Sequence, residues 1–116
     1  MNSKAILAVG LRKEDLLHLL NRMEALGCQV ISALSLLDAG WIAEHRHFRL
    51  AVLDLECLRP DGAQAFLEAA DRQLAMPLLV LHGEGQTWLV RARNAVRFRQ
   101  ETSFRDVISV AVSLLR

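Results

Sequence analysis

Four things are missing from this 116-residue sequence or scarce in it: paired cysteines, long apolar runs, charge of one sign and glycine-rich loops. The two cysteines, Cys28 and Cys57, stand far apart with neither CxxC spacing nor a histidine cluster. That excludes a zinc knuckle and a dithiol redox motif, and both are expected to be small buried apolar residues. After Met1-Asn2-Ser3-Lys4 the chain turns apolar for only six residues, too few for a signal-peptide core or a membrane span. No membrane association is expected, and a cytoplasmic chain is. Fourteen Lys and Arg against thirteen Asp and Glu leave a formal charge of +1. A field this weak argues against nucleic-acid binding by the domain as a whole. Gly83-Glu84-Gly85 has neither the spacing nor the lysine of a nucleotide-binding loop, and no Ser–His–Asp or Cys–His order stands out. An enzyme is therefore not expected.

What is present is ample material for a core. Hydrophobic residues make up 53% of the chain and charged residues 23%, a globular composition of one-domain size. Residues 1–116 are expected to form one domain, with no repeat, linker or low-complexity segment. Ala5-Ile6-Leu7-Ala8-Val9 is a short continuous apolar run ended by Gly10, the pattern of a strand covered on both faces. From Glu14 to Leu26, Leu16, Leu17, Leu19, Leu20, Met23 and Leu26 recur at helical spacing, with Gly27 as the stop. A second strand follows at Val30–Ala33, and Ser35 caps a helix running through Glu44, which Gly40 weakens slightly.

The alternation continues with a strand at Arg49–Asp54, a helix at Gly62–Leu74 and a strand at Pro77–Leu81. Thr87–Asn94 is expected as a short helix, Ala95–Phe98 as an edge strand, and Ser103 as the cap of a last helix through Leu115. Strands alternating with helices imply right-handed crossovers and a parallel sheet between helical layers. In such a doubly wound α/β fold the working crevice lies beyond the carboxyl ends of the strands, where strand order reverses. Gly10, Asp54 and His82 are expected there.

Leu53-Asp54-Leu55-Glu56-Cys57-Leu58-Arg59-Pro60-Asp61-Gly62 resembles the signature of response-regulator receiver domains, in which an aspartate ends the third strand and a glycine follows eight residues later. The resemblance covers residues 5–62 without insertion or deletion and continues more loosely to 116. It implies a flavodoxin-like five-stranded parallel sheet in the order 2-1-3-4-5 with five helices, the fourth shortened. It also implies that Asp54 is the phosphoacceptor position of a bacterial two-component module. One departure is Leu58 where the family has proline, with Pro60 two positions later.

The departures around Asp54 are more consequential. Phosphoryl transfer to a carboxylate needs a divalent cation held by hard oxygen ligands. The positions matching the family's acidic pair are Gly10 and Leu11, which offer no side-chain oxygen, so magnesium binding is expected to be weak or lost, and no other cofactor is implied. Glu14 and Asp15 fall in a first helical turn, where the helix dipole accounts for them. His82 replaces the family's hydroxyl residue, either as an anion ligand or as a side chain hydrogen-bonded at the strand end. Gln100 matches the family's lysine, although a one-residue shift would bring Arg99 to pair with Asp54 instead. Arg12 is either a fixed cation for Asp54 or a solvated loop arginine. Glu56 completes the expected pocket. His18, His45 and His47 read as solvated polar residues.

Arg91, Arg93, Arg97, Arg99 and Arg105 concentrate positive charge in the region that matches the face receivers use for partners, and Trp88, if exposed there, favours a protein partner. This is either a solvated basic face or a docking surface. The leading expectation is a degenerate receiver working through protein contacts, with a sensor kinase, a downstream regulator or a second copy as partner. The alternatives are an atypical phosphoacceptor at Asp54 and a small enzyme on the same scaffold, since a fold does not fix a function.

Overall fold

The computed structural model describes residues 4–73, 76–82 and 94–115. Five strands, β1 (Ala5–Val9), β2 (Gln29–Ala33), β3 (Leu50–Asp54), β4 (Leu78–His82) and β5 (Ala95–Arg99), form one sheet. Their order is β2-β1-β3-β4-β5 and every neighbouring pair is parallel. Four helices are described: α1 (Lys13–Ala25), α2 (Leu36–His45), α3 (Ala63–Arg72) and α4 (Phe104–Leu115). The sheet is the doubly wound arrangement expected from the sequence. Of the shortened helix expected at Thr87–Asn94, only Asn94 is described, and it lies in a turn; Leu74, expected to end α3, also lies outside the described residues. None of the described helices is long and apolar enough to cross a membrane.

Two apolar clusters hold the layers together, and the strand alternation assigns residues to them. Leu7, Val9, Leu53 and Val80 point to one face and pack with Leu36 of α2 and Phe66 of α3. Ile6, Ala8, Val52, Leu79 and Leu81 point to the other and meet Leu19 and Met23 of α1 and Ile108 and Ala111 of α4. Both faces of β1, β3 and β4 are thus dry, which is why these strands read as unbroken apolar runs. β5 lies at the edge with Val96, Arg97 and Arg99 exposed, the charged edge that discourages further strand pairing.

Local signals act where they were expected. The Ser35 hydroxyl accepts from the Asp38 amide at 3.1 Å and starts α2. Gly27, at φ +74°, follows the Leu26 cap and turns the chain into β2, a left-handed conformation that side chains rarely adopt. Gly40 has a role that a propensity argument misses. It is buried against α3, and a methyl group added there would touch the Phe66 amide nitrogen at 3.4 Å. A residue no larger than alanine fits at this helix contact. The cysteines depart from expectation: Cys28 is half-buried, Cys57 is exposed, and both are free.

Candidate functional site

Sheet order reverses between β1 and β3, whose carboxyl ends open a crevice. Asp54 closes β3 at its floor and is the buried charged residue of the described core, 2% exposed. Its Oδ1 accepts from the Glu56 amide at 3.1 Å and from Gln100 Nε2 at 3.0 Å. The first bond belongs to the 3₁₀ turn Leu55–Cys57, which Asp54 caps, a local arrangement common for strand-end aspartates. The second bond joins β3 to the turn after β5. It resolves the register left open by the sequence: Gln100 reaches Asp54, whereas Arg99 lies exposed on β5 opposite His82. An uncharged amide donor thus meets the carboxylate where an arginine was the alternative.

Gly10 follows β1 at φ +65°, donates its amide proton to the Ala33 carbonyl at 2.9 Å and packs beneath Leu58. A methyl group placed on its α-carbon would lie 2.6 Å from Leu58 Cδ2 and 2.7 Å from Cγ. The two departures noted separately in the sequence, a missing acid at position 10 and a leucine at position 58, are therefore one packing event. Leu58 occupies the volume that a side chain at position 10 would need. Leu11 turns away into the cluster beneath α1 and α4.

The charged residues at the rim pair with each other. Arg12 Nη2 bonds Glu56 Oε2 at 2.9 Å, with both side chains more than half exposed. Exposed pairs of this kind contribute little to stability. A hydrogen bond to Cys57, then the charges of Glu56 and Asp54, hold the guanidinium above its ordinary value, so it stays protonated. Arg12 therefore ends on Glu56, as a solvated loop arginine would, and its direct ion pair is not with Asp54.

Asp15 is the crevice residue that sequence reasoning assigned elsewhere. Burial, and then the charge of Asp54, raise its carboxyl above the ordinary aspartate value. It sits at the third position of α1, as the dipole argument required, and that turn also carries it to within reach of the Asp54 charge. Nothing in the local pattern signals this, because the approach depends on how α1 lies across the sheet. Among the described residues no three His, Cys, Asp or Glu side chains converge to hold a metal ion.

His82 ends β4, but its side chain lies outside the described residues, as do Trp88, Arg91 and Arg93. Arg97 and Arg99 are exposed on β5 and Arg105 on α4. His18, His45 and His47 are also exposed. A polar groove between α2 and α3 is lined by Glu44, His45, Arg72 and Gln73. A smaller cleft of about 150 Å³, bordered by Lys4, Cys28 and Arg49, lies at the opposite, amino ends of the strands.

No protein-family model matches the sequence, and a search of curated proteins finds no significant relative. Solved structures are similar in fold at low identity. A response regulator receiver protein from Sinorhizobium medicae is 19% identical with a TM-score of 0.73, over 98% of this chain and 95% of that one. A receiver domain protein from Methanospirillum hungatei is 20% identical with a TM-score of 0.71, over 97% and 94%. The receiver domain of a sensor histidine kinase from Pseudomonas aeruginosa, with magnesium coordinated in its active-site cleft, is 14% identical with a TM-score of 0.69, over 98% of both chains. This chain has the fold of a response-regulator receiver domain.

Proposed function

We propose that this chain is a degenerate receiver of two-component signalling, one that acts through protein contacts and is not switched by magnesium-dependent phosphorylation of Asp54. The observation that carries this reading is Leu58 packed over Gly10. In a receiver the metal is anchored by acids at this end of the first strand. Here the space is apolar and filled, and Leu11 is committed to the core. Without a cation, the charge crowding between Asp54 and an incoming phosphoryl group has no counterweight, and the Gln100 amide supplies a dipole in place of a full charge. Asp15 adds a further negative charge beside the acceptor. No catalytic role follows for the domain on this reading, and magnesium has no resident site.

The partner is a sensor kinase, a downstream regulator or a second copy of the chain. The exposed arginines of β5, Arg97 and Arg99, belong to the face proposed for docking, together with Trp88, Arg91 and Arg93. Nucleic acid and membrane are not partners of this domain on the same reading.

The test is incubation with a small phosphodonor and magnesium followed by intact mass measurement. The expected result is an unchanged mass under conditions that fully modify a competent receiver. A phosphoryl adduct that disappears in Asp54→Asn would overturn the proposal and favour an atypical phosphoacceptor.

A further inference from the structure

The outer face of α2 is apolar and uncovered. Leu34 is 85% exposed, Leu37 61% and Trp41 66%. Leu37 and Trp41 stand one turn apart on the flank of the helix beside the buried Leu36, Ala39, Gly40 and Ala43, with Leu37 reaching the Gly62 turn before α3 while still more than half exposed. The Trp41 ring stacks on the His45 imidazole with centroids 4.5 Å apart. His45 Nδ1 donates to the Trp41 carbonyl at 2.8 Å, which holds the two rings as one plate. A contiguous apolar surface carrying a fixed tryptophan is the kind of feature that anchors an interface.

We infer that this face self-associates, with α2 of one copy lying antiparallel on α2 of a second across a two-fold axis near Trp41. The charges on the helix select this occupant. Its first turn carries Asp38, and Arg46 follows its last turn. A two-fold antiparallel arrangement sets Asp38 of each copy against the basic end of the other, aligns the helix dipoles in opposition and places Trp41 on its twin. The remaining acid of the last turn, Glu44, is already paired with Arg72 at 2.5 Å within its own chain and does not oppose Asp38 of the second copy. The patch is therefore self-complementary, as an isologous contact requires.

The size of the patch sets the strength. Ten residues of helix span about 15 Å. Two such faces bury less than the roughly 800 Å² per partner of a standard stable interface, so the association belongs to the weak, concentration-dependent class. The inference does not depend on the reading of Asp54.

Sedimentation velocity of the intact chain from about 10 µM to about 1 mM tests it. The weight-average sedimentation coefficient is expected to climb toward the dimer value with concentration. Trp41→Ala and Leu34→Ser, both at exposed positions that leave the core untouched, should flatten the rise. Asp38→Lys should do the same, and the reversed pair Asp38→Lys with Arg46→Glu should restore it. Circular dichroism establishes that each variant is folded. A wild-type chain that stays monomeric throughout overturns the inference, as does a rise that Trp41→Ala leaves intact or a reversed pair that fails to restore it.

Discussion

Gly10 and Leu58 lie far apart in sequence, yet each explains the other. The glycine's φ of +65° excludes most side chains, and the leucine above it fills the remaining space. Gly10→Ala is expected to lower stability by about 1–3 kcal/mol, from left-handed strain and overpacking together. Adding Leu58→Ala should cost less in that background than in the wild type, because truncating the leucine relieves the clash that Gly10→Ala creates. Urea denaturation of the four proteins in a double-mutant cycle measures the coupling, and strictly additive effects would refute the contact. Asp15 supports a prediction in pH. Its folded-state carboxyl is raised, by burial first and then by Asp54. The folded chain therefore holds this proton more tightly than the unfolded chain does. Wild-type stability should fall relative to Asp15→Asn as pH climbs through and above the ordinary carboxylate range, and the difference should be smallest in acid. Thermal unfolding of both proteins as a function of pH reads the sign.

At the scale of elements, most boundaries were legible in the sequence because they have local causes. The Ser35 cap, the Gly27 stop and the unbroken apolar runs of β1, β3 and β4 each act within a few residues of where they stand. Gly40 shows the limit of that logic. By propensity it weakens α2, whereas the structure gives it a place against the α3 backbone. The 3.4 Å to the Phe66 nitrogen is ordinary contact for a methyl group, so Gly40→Ala should be tolerated and should raise stability by about 0.5–1 kcal/mol. Gly40→Leu should instead force α2 from α3 and lower the melting temperature by several degrees. Calorimetry on the two variants separates propensity from packing.

For the whole molecule, the decisive feature is that both faces of the central strands are covered by different helix pairs, α2 with α3 and α1 with α4. Among the described residues, that arrangement leaves two surfaces exposed, the edge strand β5 with its arginines and the outer side of α2 with Trp41. One carries charge and the other carries apolar area, so the two should respond differently to salt. Contacts through β5 should weaken as ionic strength rises, whereas the apolar part of an α2 contact should persist.

By itself the sequence determined the alternation of elements, the parallel sheet and the position of Asp54 at a strand end, and it showed that Gly10 and Leu11 offer no side-chain oxygen. These follow from periodicity, capping and residue chemistry, which are local. Only the tertiary structure decided that Gln100 and not Arg99 meets Asp54, that Arg12 turns to Glu56, that Asp15 feels the Asp54 charge, and that Leu58 closes the space over Gly10. Each is a contact between segments brought together by the winding of the sheet, where a shift of one residue at the end of β5 or a small rotation of α1 exchanges one neighbour for another. No short-range pattern encodes such a choice, because it is made by the packing of the whole fold.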